Sequence, residues 1–245
     1  MADKSRIEWT QATWNPVTGC TKISPGCAHC YAESLTLRFK LGGPYLPGLA
    51  KIVLHDDRLD LPKTWKQPRV IFVNSMSDLF HPAVPTPFIR RVFDVMGETP
   101  RHTFQVLTKR HDRLAEIAST LPWPTNVWMG VSVENQRWAE TRIPALLGTP
   151  AKTKFLSCEP LLGKLELGGY LEGLDWVIAG GESGPRARKA NEDWFRGLRN
   201  QCRDAKVSFF LKQLGGHPNP RGHEQATLDG RLWRKLPTVS RAVTA

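Results

Sequence analysis

Six short apolar runs, each closed by a polar cluster and mostly separated by amphipathic segments, constrain this chain more than any other feature. The runs are Val70-Ile71-Phe72-Val73, Thr103-Phe104-Gln105-Val106-Leu107, Val127-Trp128-Met129-Gly130-Val131, Lys154-Phe155-Leu156, Trp176-Val177-Ile178-Ala179 and Val207-Ser208-Phe209-Phe210-Leu211. They are short, β-branched and aromatic, as strands covered on both faces of a parallel sheet are. Helical periodicity fills 87–96, 112–120, 136–147 and 191–205 between them. Strand and helix in alternation predict an α/β fold with a parallel sheet or barrel.

The residues just past each run favour the barrel. They are Asn74-Ser75-Met76-Ser77-Asp78, Thr108-Lys109-Arg110, Ser132-Val133-Glu134-Asn135, Ser157-Cys158-Glu159, Gly180-Gly181-Glu182-Ser183 and Lys212-Gln213. One such Ser or Asp is an ordinary helix cap. Recurrence after every run is what a barrel needs on the face where its strand ends converge. The chain's 245 residues suit one such domain. Gly/Pro-rich residues 41–48 form a connector, 215–222 a loop, and Leu228-Asp229-Gly230-Arg231-Leu232 a hairpin turn.

A second feature carries chemistry. Cys20, Cys27 and Cys30 lie in one Gly- and Pro-marked loop, ahead of a helix predicted over 31–40. Three thiolates are one ligand short of a closed tetrahedral zinc site or a fully ligated cubane cluster. They suit an iron–sulfur cluster with one open iron. They also allow a zinc completed by His29, His81 or Cys158, or free structural thiols. Five cysteines, three of them clustered, fit metal binding in a reducing cytoplasm better than a disulfide framework. The net charge of +11 favours a polyanionic partner such as nucleic acid. No signal segment or membrane-length apolar window is expected.

The cysteine loop resembles that of the radical S-adenosylmethionine (SAM) superfamily, with a longer first spacing than usual and His29 where an aromatic residue is usual. About residues 7–235 resemble one branch, a largely uncharacterised, phage-associated, radical SAM-like family. The shared stretches are Trp14-Asn15-Pro16 with the loop, then 74–80, 106–110, 130–135, 157–161, 180–184 and 210–213. The resemblance implies a partial (β/α)6-type barrel over 1–215, with 216–245 a loop and hairpin extension packed on the same domain. It also implies a 4Fe–4S cluster on Cys20, Cys27 and Cys30, with SAM on the remaining iron. Reduction would yield a 5′-deoxyadenosyl radical that abstracts hydrogen from an unactivated C–H bond.

The same resemblance suggests residue roles. Asn74, Ser75 and Asp78 are candidates for the SAM amino group. Ser132 and Glu134 are candidates for its ribose or carboxylate, and Lys109 or Arg110 for pairing with that carboxylate. Cys158 with Glu159 is a candidate catalytic pair, the thiol donating hydrogen to a product radical; the competing reading makes it a buried filler. Glu182 is assigned to substrate, because Gly180-Gly181-Glu182 follows a late strand and is not the superfamily's early Gly-Gly-Glu motif. Lys212 and Gln213 are placed on a base edge or phosphate. Cys202 and most tryptophans are expected in packing.

The reaction expected is nucleobase modification, in DNA rather than RNA. One form is isomerisation of a substituent on modified thymine during phage DNA hypermodification; the next is a repair lyase of the spore photoproduct type. A non-catalytic, zinc-dependent nucleic-acid-binding protein is the reading from another class. A reductant such as flavodoxin or ferredoxin, a cytoplasmic location and no membrane partner complete the expectation.

Overall fold

The computed structural model describes residues 5, 7–33, 51–216 and 227–237. Seven parallel strands run in chain order across one sheet: β1 (Ala12–Trp14), β2 (Val70–Val73), β3 (Thr103–Thr108), β4 (Val127–Ser132), β5 (Thr153–Cys158), β6 (Trp176–Gly180) and β7 (Ser208–Gln213). Helices α1 (Thr86–Glu98), α2 (His111–Ile117), α3 (Gln136–Leu147) and α4 (Glu192–Asp204) follow β2, β3, β4 and β6. Each crossover advances one strand in the same direction. Strand twist then curls the sheet into a half-barrel that stays open between β1 and β7. This is the partial α/β barrel expected, with β1 added to the six predicted strands.

Alternation along the strands divides the apolar residues. Ile71, Val73, Phe104, Val106, Met129, Val131, Leu156, Val177, Ala179, Phe209 and Leu211 join the core that packs with the helices. The other face carries Phe72, Trp128, Phe155, Trp176, Ile178 and Phe210, which close on Trp9 as a separate cluster. Trp176 lies at its centre, with ring centroids 6.2 Å from Trp9, 6.1 Å from Trp128, 5.6 Å from Phe155 and 6.0 Å from Phe210. Gly130 is bare for this reason: a Cβ there would stand 2.5 Å from the Phe155 ring. Aromatics therefore plug the barrel floor, and the polar groups at the strand ends are left at its mouth.

The hairpin forms where Asp-Gly predicted it. Thr227–Leu228 pairs antiparallel with Arg231–Leu232 around Asp229 (φ 54°) and Gly230 (φ 69°), a primed turn that matches strand twist. Beyond it the Leu211 N–H donates to Trp233 O at 2.6 Å and Lys235 N–H to Phe209 O at 3.1 Å. The returning chain thus covers part of β7's free edge. Tyr31–Glu33 is helical, as the predicted helix over 31–40 requires at its start. The rest of that helix, the 41–48 connector and most of the 215–222 loop lie outside the described residues. Among the described residues, no helix is long and apolar enough to cross a membrane.

Candidate active site

The chain leaves β1 at Trp14 and crosses the mouth as the cysteine loop. The loop after β2 holds it there. Asn15 Oδ1 accepts from Ser75 Oγ (3.2 Å) and the Met76 N–H (3.1 Å), the Val17 N–H donates to Asn74 Oδ1 (3.3 Å), and Ser77 Oγ donates to Val17 O (2.8 Å). Cys20, Cys27 and Cys30 are each half-buried, and none of them is in a disulfide. Burial first, then the Asp78 charge, pushes Cys20 up to about 11 against the opposing pull of Arg110.

Three cysteines on one loop are a donor set that a cluster can use. Among the described residues, no three His, Cys, Asp or Glu side chains converge closely enough to hold one metal ion. Ligands of a tetrahedral zinc must converge in that way, whereas thiolates on a cubane each take a different iron. Two of the fourth ligands considered for zinc carry hydrogen bonds. His29 Nδ1 lies 3.0 Å from Glu182 Oε2, His81 Nε2 lies 2.9 Å from Thr21 Oγ1, and His81 Nδ1 accepts from the Ala83 N–H at 3.1 Å.

Around the loop the strand ends supply two kinds of polar group. Some remain close together at the mouth. Lys109 Nζ donates to Ser132 Oγ at 3.0 Å. Glu159 accepts from Ser157 Oγ at 3.2 Å and pairs with Lys212 at 2.8 Å, reaching from β5 past β6 to β7. Gly180 leaves room for this pair, since a Cβ there would lie 3.1 Å from Glu159 Oε2. Burial opposes the charge on Lys212, but Glu159 outweighs it and holds the ammonium's pKa above the ordinary lysine value. Asn74, at φ 60°, keeps its Nδ2 buried without a hydrogen-bond partner.

Other expected ligand groups make hydrogen bonds within the protein. Asp78 accepts from Thr108 Oγ1 (2.7 Å), the Phe80 N–H (3.0 Å) and the Lys109 N–H (3.0 Å), which joins the β2 and β3 loops. Glu134 is fully buried; Arg142 Nη1 holds its Oε2 at 2.8 Å and the Gly26 N–H its Oε1 at 3.2 Å. Glu182 takes three donors from Arg188 and sits against His29. Burial raises the Glu182 pKa, but these hydrogen bonds prevail and hold it at about 2. Gln213 Nε2 is tied to Gly181 O at 2.9 Å. Arg110 donates through Nη2 to Thr21 O and Oγ1, both at 2.8 Å.

Cys158 is not at the mouth. Ser157 and Glu159 point inward, so alternation turns Cys158 outward into the helix-facing core, where it is fully buried with Cys202 nearby. That placement is the one the filler reading describes, not a thiol at the mouth. Trp9, Trp14 and Trp128 are likewise buried packing residues.

Three further residues matter here that sequence reasoning passed over. Arg142 stands in the apolar stripe of α3 with Ala139, Ile143 and Leu146, and an arginine at that register was a readable signal. Arg188 lies in an irregular loop with nothing local to mark it. Tyr31, half-exposed beside Cys30, donates its hydroxyl to Ser75 O at 3.2 Å.

Known proteins share this arrangement of strands. The chain is similar to spore photoproduct lyase complexed with dinucleoside spore photoproduct, at 12% identity and a TM-score of 0.50, covering 80% of this chain and 74% of that one. It is similar to a cysteine-to-serine mutant of spore photoproduct lyase at 12% identity and 0.54, covering 86% and 78%. A tyrosine-to-phenylalanine mutant matches at 11% and 0.51, covering 80% and 74%. At such identities the likeness is one of fold. No curated protein matches the sequence. A family model described as a protein of unknown function (DUF5131) matches residues 4–237, and the chain belongs to that family.

Proposed function

We propose that this chain is a radical SAM enzyme that modifies a nucleobase in DNA. The observation that carries the reading is the cysteine loop: three cysteines outside any disulfide, laid across the open mouth of a parallel half-barrel whose floor is plugged by aromatics. The resemblance of the loop and of the strand-end stretches to radical SAM proteins supports it, as does the fold shared with spore photoproduct lyase.

Cys20, Cys27 and Cys30 would hold the 4Fe–4S cluster. When bound, cluster and SAM supply a 5′-deoxyadenosyl radical that removes a hydrogen atom from a C–H bond. The chain's own residues bind, orient and exclude water. Lys109, braced by Ser132, offers a charged donor to a carboxylate. Asn74 and Ser75 stand on the β2 side of the loop as candidates for the SAM amino group. Glu159 and Lys212 face the mouth from β5 and β7, where an ammonium can meet a base edge or a phosphate. The aromatic floor keeps water from entering below the reacting groups.

The reaction we favour is isomerisation of a substituent on a modified thymine during phage DNA hypermodification, with flavodoxin or ferredoxin as reductant in the cytoplasm. A repair lyase is the second reading, favoured by the fold neighbour that holds a dinucleoside spore photoproduct. Anaerobic reconstitution tests the class. Brown protein with about four irons and four sulfides that releases 5′-deoxyadenosine from SAM on reduction supports it. Colourless protein with one stoichiometric zinc refutes it. Digestion of treated DNA and mass analysis of the nucleosides separates isomerase from lyase.

A further inference from the structure

Beside each of the three cysteines, one loop residue is held by a buried charged side chain from a different strand end. Thr21, next to Cys20, is gripped at carbonyl and hydroxyl by Arg110, which follows β3 and also lies 4.0 Å from Cys20 Sγ. Gly26, next to Cys27, donates its N–H to Glu134, which follows β4. His29, next to Cys30, meets Glu182, which follows β6. The anchors Arg110, Glu134 and Glu182 are 8%, 0% and 6% exposed. Two of them are themselves braced: Glu134 by the fully buried Arg142, and Glu182 by Arg188, which also donates to Pro25 O at 3.0 Å.

Within 20–30 the loop has one regular element, the 3-10 turn Pro25–Cys27. Ordering such a segment costs backbone entropy at every residue. Hydrogen bonds to charged groups oppose that cost more strongly than neutral ones do, and leaving a buried charge unpaired is costlier still. The anchors therefore bias the loop toward the conformation they hold. Glu134 also sets its path, because a Cβ on Gly26 would come within 3.2 Å of the Glu134 carboxylate. The long Cys20–Cys27 spacing is thereby pinned just before its second thiol.

We propose that Arg110, Glu134 and Glu182 are positioning residues that fix the three thiols before any cluster is present, one anchor to each cysteine. This rests on the radical SAM reading and extends it to a preorganised ligand loop. His29→Ala offers the mildest test, because it removes the loop side of one anchor and leaves Glu182 paired with Arg188. His29→Asn supplies an amide N–H in place of Nδ1.

Hydrogen exchange on the cluster-free full chain should show the 20–30 amides protected in the wild type. They should exchange about tenfold faster in His29→Ala, as loss of one charge-assisted hydrogen bond predicts, and regain protection in His29→Asn. After reconstitution, His29→Ala should hold less than half the wild-type iron and sulfide and show an altered electron paramagnetic resonance signal; His29→Asn should restore both. Glu182→Gln should behave as His29→Ala does. An unprotected loop in the cluster-free wild type overturns the proposal even if the cluster loads normally. So does a His29→Ala variant that matches the wild type in exchange, loading and spectrum. If the wild type binds no cluster, the radical SAM reading falls instead, while the exchange result still judges the anchoring.

Discussion

Cys158 and Cys202 lie in the core between the sheet and the helices, whereas Cys20, Cys27 and Cys30 reach solvent. Burial pushes Cys202 up to about 12 and Cys158 well above the ordinary thiol value. Only a thiolate attacks an alkylating agent. In the native, metal-free protein near neutral pH, iodoacetamide should therefore modify thiols of the solvent-reaching loop before the two core thiols. Cys20 should gain reactivity only as the pH climbs toward about 11, and Cys158 and Cys202 should react only after unfolding. Peptide mass mapping reads the order, and rapid native labelling of Cys158 would return it to the mouth. Glu182 makes a second prediction. Its folded pKa of about 2 lies below its ordinary value of 4.5, so its contribution is full above 4.5 and is lost as pH falls from there through about 2. Urea melts across that window should show Glu182→Gln losing less stability on acidification than the wild type. At this scale the sequence revealed where polar groups gather but not whom they serve. Glu134 and Glu182 were visible as strand-end carboxylates. Their partners Arg142, Arg188, Gly26 and His29 come from other segments, and only the folded chain brings them together.

Glycine acts in opposite senses in two elements. Gly130 on β4 is required, because the space above it belongs to the Phe155 ring. Gly130→Ala forces that ring out of the aromatic floor and should cost about 1–3 kcal/mol, as overpacking does. Gly197 on α4 has no neighbour within 4 Å of where a methyl would stand, and its helix gains from a better helix former. Gly197→Ala should stabilise by about 0.5–1 kcal/mol. Urea unfolding of both variants measures the contrast, and equal signs would contradict the packing described. Strand and helix alternation was legible because buried parallel strands need unbroken apolar runs. Strand β1 was not, because Ala12-Thr13-Trp14 is only three residues long and flanked by Gln11 and Asn15. It forms through its register with Ile71, Phe72 and Val73, a tertiary cause that no local pattern records.

For the whole molecule, the plugged floor leaves the cysteine side as the open face, and under the proposed function the charge of +11 bears on how a nucleic acid would be held there. The loop between β6 and α4 lies at that face, since Arg188 within it reaches Pro25 of the cysteine loop. Arg186 and Lys189, on either side of Arg188, are exposed. Cations so placed meet phosphates and carry no base readout, so they govern affinity and its salt dependence rather than the chemistry. Binding of a fluorescent DNA duplex or single strand should weaken steeply with salt, and a protein making about six phosphate contacts loses on the order of a thousandfold between about 50 and 200 mM. Replacing Arg186 and Lys189 together by glutamine should lower the slope of log affinity against log salt by about one for each contact removed. The same double variant should release 5′-deoxyadenosine at the wild-type rate, because neither side chain touches the thiols or the Lys109–Ser132 pair. An unchanged slope would move the phosphate path to another part of the rim. An affinity indifferent to salt in the wild type would remove nucleic acid as the partner and leave a small molecule as the substrate of the mouth.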